Sequence, residues 1–273
     1  GHVVSAMYVG ALGEALGARV LFRMEDHDRQ RCKKIYEDAI FRDLEWLGFF
    51  TSQVEVVPSQ SKRIDRYQEV YKSLESQDKT YLCDCTRKTL RKSQGDPVQD
   101  QEPLYPGTCR KKKGLDPENT SLRLKVDAES YGFEDYFLGT VEQSPHLQCG
   151  DFIIRDRKQN PAYQLCATVD DWDQGVNLVV RGEDIFSSTG RQLYLRKLLG
   201  SKEDPFYVHH PLVWDVKAQT KLSKRIFSTS LKKMREEGLS AQDVLGQALF
   251  EGGFISEKRR VFWSEVPERM IYP

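Results

Sequence analysis

No run of about eighteen apolar residues occurs in this sequence of 273 residues, so no membrane-spanning helix is predicted. The first residues also lack a basic segment and a cleavage site, so we expect no secretory signal there. Net charge is absent as well, because Lys and Arg total 41 and Asp and Glu total 41. The overall charge therefore predicts no polyanionic partner, although basic clusters at 87–92, 110–113 and 258–260 are compatible with contacts to a phosphate backbone.

Cysteine is scarce but unevenly placed. Two of the six cysteines, Cys83 and Cys85, are one residue apart, and Cys109 follows across a polar stretch. Closely spaced thiols without a secretory signal favour a reducing, cytoplasmic location and metal binding over disulfides. Three thiolates suit a structural Zn²⁺ ion, whose fourth ligand would be Tyr105, a water molecule or a distant residue. Three unconnected thiols are the alternative.

Apolar periodicity predicts an alternation of helices and strands. Helices are predicted at 2–17, 35–47, 64–74 and 187–199, with two short ones within 228–250. Strands are predicted at 20–22, 122–126, 152–154, 176–181 and 206–213. Such alternation is typical of an α/β fold with a parallel sheet and crossover helices. Because residue 2 already lies in a helical pattern, we expect a further strand to precede it.

One long polar segment divides the chain. Residues 82–129 are rich in Lys, Asp, Gln, Pro and Gly, and a segment of this length is too long for an ordinary loop. We therefore predict four parts, which are the first half of a sheet domain at 1–81, an inserted zinc-binding module at 82–149, the second half at 150–210 and a helical region at 211–273.

Charged residues follow the predicted strands, at the edge where open α/β sheets bind ligands. The first strand is followed by Arg23 and Glu25, and the strand at 176–181 ends in Arg181. Glu25 is suited to accept an ammonium group, although acidic loops without a function are common, and Arg23 is expected to make a structural ion pair. The planar guanidinium of Arg181 suits a carboxylate, but a structural pair with Asp170 or Glu25 is also open.

Two lysines flank a serine in the string 221–225, Lys-Leu-Ser-Lys-Arg, on a predicted loop. Gly1 and His2 stand far upstream, at the start of the first predicted helix. Alone, the lysine string is more often a solvated surface loop. The two features together are typical of a clamp for the phosphates of ATP, and they predict adenylate formation.

Five motifs in the same order resemble those of the glutamyl-type class I aminoacyl-tRNA synthetases. Gly1-His2 is similar to the end of the H-x-G-H motif, and residues 23–31 resemble R-I-E-D-x-D-x-x-R. Residues 163–171 resemble A-Y-x-x-A-x-x-x-D-D, residues 180–184 resemble V-R-G-x-D, and residues 221–225 resemble K-M-S-K-S. The pattern Cys-x-Cys…Tyr-x-x-x-Cys of the family's zinc site is matched at 83–109.

The resemblance implies a Rossmann-type catalytic domain with a zinc-containing, tRNA-contacting insertion and a small helical C-terminal region that contacts the tRNA stem. It implies that ATP binds with Mg²⁺, that the catalytic residues are His2, Lys221 and Lys224, and that the ATP-binding residues are Gly1, His2, Asp184 and Lys224. It implies that L-glutamate is bound by Glu25, Tyr163 and Arg181. The implied ligands of the structural Zn²⁺ are Cys83, Cys85, Tyr105 and Cys109.

Only 48 residues (226–273) follow Arg225, whereas the charging enzymes of this family continue into an anticodon-binding domain. The sequence therefore resembles most the short branch of the family, which transfers glutamate to the queuosine base at the wobble position of tRNA(Asp). A truncated enzyme that charges tRNA(Glu), or a zinc-stabilised tRNA-binding protein without catalysis, is the alternative. We expect a monomer.

The sequence departs from the family pattern in three places. Lys111 stands where full-length relatives often carry a His, and Arg29 and Gln30 replace a Pro pair that is common in the bacterial short form. The family's opening strand R-F-A-P-S-P-T-G, whose Arg and Ser contact glutamate, is not in the sequence. Part of the glutamate contact is therefore not accounted for by these 273 residues.

Overall fold

The computed structural model describes residues 2–86, 88–90, 104–212, 214–215, 220–221 and 230–271, with the backbone alone described at 214–215 and 220–221. Its helices include α1 (His2–Ala15), α2 (Lys34–Leu47), α3 (Ile64–Ser76), α4 (Pro145–Gln148), α5 (Tyr163–Asp173), α6 (Thr189–Leu198), α7 (Leu231–Glu236), α8 (Ala241–Glu251) and α9 (Val266–Ile271). None of the helices described is both long and apolar enough to cross a bilayer.

The strands form small sheets rather than one continuous sheet. They are β1 (Val20–Phe22), β2 (Val54–Val56), β3 (Thr80–Cys83), β4 (Ser121–Leu124), β5 (Tyr131–Asp135), β6 (Gly139–Gln143), β7 (Ile153–Arg155), β8 (Leu178–Gly182), β9 (Phe206–His210), β10 (Trp214–Asp215) and β11 (Thr220–Lys221). β1 and β2 are parallel, and β8 and β9 are parallel within a mixed sheet of order β6-β5-β9-β8. The strands β3, β4 and β7 form an antiparallel sheet, and β10 and β11 form a hairpin. The predicted α/β class with a parallel sheet is therefore confirmed.

Local signals in the sequence explain the helix boundaries. α2 ends at Gly48, which has φ 87°, and its N–H bonds to the carbonyls of Glu45 and Leu44. A residue without Cβ adopts this left-handed conformation at little cost, so the helix stops where the apolar pattern stops. Gly13 in α1 allows a close approach instead, because a Cβ there would overlap the side chain of Val20.

Two apolar cores hold these elements together. The larger core packs α3, α5 and α6 against β4, β5 and β7, with Tyr67, Leu165 and Leu195 fully buried. The second core joins α1 to the C-terminal helices α8 and α9 through Met7, Leu245 and other side chains. Burying such side chains stabilises each core by about 1.5–3 kcal/mol per large residue, before the entropy of ordering them is subtracted. The second core thereby fixes α1 against the C-terminal helices and against Val180 of β8.

The β5–β6 hairpin belongs to the same sheet as β8 and β9. Asp135 of β5 pairs in parallel with Tyr207 of β9, and β9 pairs along its length with β8. Residues 131–143, which the sequence analysis placed in the inserted module, therefore lie in the sheet that carries Arg181. The four-part division of the chain stays a prediction.

Candidate active site and metal centre

A cavity of about 870 Å³ lies between β1 and β8 and reaches the start of α1. Apolar side chains such as Val20 and Leu178 line it along the strands. Charged side chains, among them Glu25 and Arg181, line it at or just after their carboxyl ends, and Arg19 lines it before β1. The cavity brings together four residues that the sequence analysis assigned to glutamate and ATP, which are His2, Glu25, Tyr163 and Arg181. The position agrees with the rule that open α/β sheets bind ligands outside the carboxyl ends of their strands.

Glu25 presents a carboxylate to this cavity. Its Oε1 lies 3.7 Å from the Arg23 guanidinium, and 42% of its side chain is exposed. Burial by the cavity walls nevertheless raises the pKa of Glu25, and the charge of Arg23 only partly opposes that rise. An ammonium group next to Glu25 would favour its ionised form, because an opposite charge nearby lowers a carboxyl pKa.

Arg23 makes the structural ion pair that the sequence analysis expected. Its Nη2 donates to Asp171 over 2.8 Å, and its Nη1 donates to Gln174 over 2.8 Å. Both partners lie in or next to α5, so Arg23 fastens the end of β1 to that helix. The hydrogen bonds thus direct the Arg23 guanidinium to α5. Glu25 and Asp171 both lie beside it and line the cavity, and of the two only Asp171 is hydrogen-bonded to Arg23.

Tyr163, the first residue of α5, lines the same cavity as Glu25 and Arg181. Burial raises the pKa of its hydroxyl, the negative charge of Glu25 raises it further, and the positive charge of Arg181 lowers it. The ring is therefore close enough to both residues to sense their charges. A neutral phenol here walls the cavity and can hydrogen-bond a polar ligand.

Arg181 is held by neutral groups. Nε donates to Nε2 of His209 over 3.0 Å, Nη1 donates to Gln192 over 2.7 Å, and Nη2 donates to Thr189 over 2.7 Å. Only 9% of the residue is exposed, and no carboxylate of the described residues forms an ion pair with it. Both structural pairs considered above, with Asp170 and with Glu25, are therefore wrong. The reason is that other cations already occupy Asp170.

Asp170 is a fully buried carboxylate that ties three elements together. It accepts hydrogen bonds from Gln60 over 3.0 Å, Arg63 over 2.6 Å and Tyr67 over 2.9 Å. Arg23 adds an ion pair at 3.4 Å. A buried carboxylate with this number of hydrogen-bond partners fixes α3 and β1 against α5.

Replacing Asp170 with alanine is expected to lower the free energy of unfolding by about 3 kcal/mol, because two arginines lose a buried partner. Asp173 provides the comparison on the same helix, since it pairs with Arg66 and shares Arg63 with Asp170, but its side chain is 22% exposed whereas that of Asp170 is fully buried. Asp173→Ala is expected to cost at most about 1 kcal/mol. Urea unfolding of both variants checks this, and equal losses would contradict the assigned role of Asp170.

The residues assigned to ATP are only partly described. His2 is exposed and lines the cavity, and Asp184 lies on the turn that follows β8, with its carboxylate folded over Gly182. Lys221 ends the β10–β11 hairpin by pairing with Trp214, and nothing is described of its side chain. Gly1 and Lys224 lie outside the described residues.

The cysteines assigned to zinc converge. The sulfur atoms of Cys83, Cys85 and Cys109 lie within 4.8 Å of one another. The hydroxyl of Tyr105 is 3.4 Å from the sulfur of Cys83 and 3.7 Å from that of Cys85, and the sulfurs of Cys85 and Cys109 are 3.4 Å apart. Ligands about 2.3 Å from a tetrahedral Zn²⁺ are separated by about 3.8 Å, so the donor set fits this ion.

Arg123 lies directly behind this cluster. Its Nε donates to the Cys83 sulfur over 3.2 Å, and its guanidinium carbon lies 3.6 Å from the centre of the Tyr105 ring. Burial acts to raise the pKa of Cys83, but hydrogen bonds from Tyr105 and Arg123 outweigh it and the net pKa is lowered. Burial raises the pKa of Cys109 to about 11. Three thiolates around a dication leave one net negative charge, and the Arg123 guanidinium beside Cys83 would compensate that charge.

Four residues around Arg181 escaped the sequence analysis, namely His209, Gln192, Thr189 and Asp135. The signal for His209 was present, because it follows an apolar run in a strand parallel to the one that ends in Arg181. The register pairs Arg181 directly with His209. No comparable signal in the sequence marks Gln192 and Thr189. Both lie on α6, and their side chains accept hydrogen bonds from Arg181.

The sequence is similar to those of known proteins. The sequence pattern of the tRNA synthetases class I (E and Q), catalytic domain, matches residues 1–269. A glutamyl-Q tRNA(Asp) synthetase of Nitratidesulfovibrio vulgaris is 33% identical over 271 residues, which are 94% of this chain and 83% of that protein. A protein of the same name from Geobacter sulfurreducens is 38% identical over 258 residues, which cover 91% of this chain and 80% of that protein.

Solved structures share the fold. A glutamate tRNA ligase from Elizabethkingia meningosepticum, solved with its amino acid, superimposes with a TM-score of 0.75 at 21% identity, over 97% of this chain and 61% of that one. The chain therefore spans less than two thirds of that ligase. At this level of identity the likeness concerns the fold, whereas the sequence matches concern descent. This chain belongs to the family of class I (E and Q) tRNA synthetases, through their catalytic domain.

Proposed function

We propose that the protein activates L-glutamate with ATP and transfers it to the queuosine base at the wobble position of tRNA(Asp). The observation that carries the proposal is the cavity that holds Glu25, Tyr163 and Arg181. A carboxylate, and a buried cation that has no ionic partner among the described residues, suit one molecule with an ammonium group and a second carboxylate. L-Glutamate has both, and Tyr163 lines the cavity together with these two residues.

As a member of this family the chain is an ATP-dependent ligase. In the first step the α-carboxylate of glutamate attacks the α-phosphate of ATP in line, which releases pyrophosphate and leaves glutamyl-adenylate. Positioning and neutralisation of charge carry such a step. We assign these tasks to His2, Lys221 and Lys224, with Gly1 and Asp184 as further ATP contacts and Mg²⁺ bound with the nucleotide.

In the second step a hydroxyl of the queuosine cyclopentenediol attacks the carbonyl of the adenylate, and AMP leaves. Support for this acceptor comes from the two relatives named above, at 33% and 38% identity, whose names give glutamyl-Q tRNA(Asp) as their product. The inserted module at 82–149 and the region at 211–273 are proposed to contact the tRNA. Zn²⁺ would be bound by Cys83, Cys85, Tyr105 and Cys109, and it would cross-link these parts of the module.

The proposal predicts transfer of radiolabelled glutamate, in the presence of ATP, to tRNA(Asp) that contains queuosine. Two further acceptors serve as controls, which are tRNA(Asp) with guanosine at the wobble position and tRNA(Glu). The queuosine tRNA is also used without its 3′-terminal adenosine, so that charging at that end is excluded. Label on both forms of the queuosine tRNA and on neither control is the expected result.

Other outcomes point elsewhere. Label confined to the 3′ end of tRNA(Glu) would identify a charging enzyme instead. Absence of any glutamate-dependent exchange between ATP and pyrophosphate would favour a tRNA-binding protein without catalysis.

A further inference from the structure

A buried chain of hydrogen bonds leads away from Arg181. The Nε2 atom of His209 accepts from Nε of Arg181 over 3.0 Å, and Nδ1 of His209 lies 2.6 Å from Oδ2 of Asp135. The side chains of His209 and Asp135 are fully buried. The carboxylate of Asp135 is further held by the backbone N–H groups of Phe137 and Leu138, at 3.0 and 3.1 Å.

The donors and acceptors fix the tautomer of His209. Arginine has only donors, so Nε2 of His209 must carry a lone pair and the proton must lie on Nδ1, where it is donated to Asp135. Burial lowers the pKa of His209 more than Asp135 raises it, which keeps the ring neutral. The ring thus holds the cation without neutralising it.

Arg181 has N–H groups that the three hydrogen bonds described above do not use. A guanidinium has five N–H groups, and three of them are used by His209, Gln192 and Thr189. The described residues provide no partner for the other two N–H groups, one on each terminal nitrogen, and Arg181 lines the cavity. A carboxylate binds such a planar fork through two parallel hydrogen bonds.

We propose that His209 and Asp135 are positioning residues, which orient Arg181 so that its remaining N–H groups and its uncompensated charge select the side-chain carboxylate of glutamate over the amide of glutamine. This inference rests on the proposed function, since it concerns the same amino-acid pocket. Asp135 acts through His209 and touches no substrate. Because Asp135 ends β5, the hairpin at 131–143 contributes to amino-acid selection.

The contact between His209 and Arg181 separates this role from a merely structural one. In His209→Asn the amide nitrogen replaces Nδ1 and keeps the bond to Asp135, but the acceptor for Arg181 is lost. In His209→Gln the terminal oxygen replaces Nε2 and keeps the acceptor for Arg181, but the bond to Asp135 is lost. Each variant therefore removes a different one of the two hydrogen bonds of His209, the bond to Arg181 in His209→Asn and the bond to Asp135 in His209→Gln.

The test measures glutamate-dependent exchange between ATP and pyrophosphate, with glutamine as the competing substrate. His209→Asn is expected to raise the KM for glutamate about 10- to 100-fold, which is the worth of a hydrogen bond to a charged group, and to reduce the preference for glutamate over glutamine. The KM for ATP should stay within about twofold of the wild-type value. His209→Gln is expected to raise the KM for glutamate less than His209→Asn does.

Stability provides the second measurement. A KM for glutamate in His209→Asn within twofold of the wild-type value would overturn the positioning role. The proposed function would still stand in that case, provided that the wild-type protein catalyses glutamate-dependent exchange between ATP and pyrophosphate. Equal rises in both variants, accompanied by equal losses in unfolding midpoint and a raised KM for ATP, would also overturn it, because they indicate a purely structural role. Absence of glutamate-dependent exchange in the wild-type protein would overturn the proposed function and this inference together.

Discussion

Replacing Arg181 with glutamine is expected to raise the KM for glutamate by roughly 100- to 4,000-fold. Removing one partner of a desolvated charge pair costs about 3–5 kcal/mol, and each 1.4 kcal/mol is about a factor of ten. Arg181 is 9% exposed and has no ionic partner among the residues described, so the ligand carboxylate would take that place. Without the guanidinium, the carboxylate would enter a buried site with no cation to meet it.

The effect should fall on KM rather than on kcat. The side-chain carboxylate of glutamate is remote from the reacting α-carboxylate, so Arg181 would contact it equally in the ground state and in the transition state. Loss of such uniform binding raises KM and leaves kcat nearly unchanged. The glutamine side chain at position 181 keeps a polar group of neutral charge, so the ratio of kcat/KM values for glutamate and glutamine should also fall.

A second arginine provides the matched control for this substitution. Arg66 pairs with Asp173 and Glu69 on the outer face of α3 and does not line the cavity. Arg66→Gln should leave the KM for glutamate unchanged in the same exchange assay. An unchanged KM in Arg181→Gln, or an equal rise in both variants, would show that the amino-acid pocket lies elsewhere.

Six of the nine helices and five of the eleven strands named above followed from local signals, whereas α4, α5 and α9 and the strands β2, β3, β5, β6, β10 and β11 were not predicted. The prediction for 35–47 agrees with α2 because a regular apolar period ends at Gly48, which adopts φ 87°. The strand predicted at 20–22 agrees with β1 for a similar reason, since a short apolar run ends in charged residues. In both cases the apolar pattern and the residues that end it are adjacent in the sequence, so these elements could be predicted without knowledge of distant contacts.

Long-range contacts limited the prediction of the site. Whether Arg181 forms an ion pair with Asp170 depended on the other partners of Asp170. One of these is Arg63, which lies 107 positions earlier in the sequence and donates a hydrogen bond to Asp170. The β5 strand alternates buried Tyr131, Phe133 and Asp135 with exposed residues, a period of two that the sequence shows. Its pairing with β9, more than seventy residues away, was not readable from that period. The Asp135–His209 bond is a consequence of this pairing.

Removing the metal is expected to release the cysteines at 83–109 and to unfold the surrounding module. Metal binding contributes about 10–16 kcal/mol of apparent folding free energy in zinc-finger peptides, and the few apolar contacts around this cluster are unable to replace it. A strong chelator should therefore lower the unfolding midpoint and expose three thiols that titrate together. Metal analysis of the untreated protein should give about one zinc per chain.

Single variants at the cluster decide between a metal centre and three unconnected thiols. Cys109→Ser should abolish stoichiometric zinc, whereas Cys32→Ser, at a thiol outside the cluster, should keep it. Tyr105→Phe is the sharper test of the fourth ligand, because it keeps the ring beneath Arg123 and removes only the hydroxyl. If the hydroxyl binds the ion, zinc affinity should fall by at least about 10- to 100-fold, the cost of losing even an outer partner of a metal site. Equal zinc content in the wild type and Cys109→Ser would contradict the metal centre. An unchanged affinity in Tyr105→Phe would leave the fourth position to a water molecule or a distant residue.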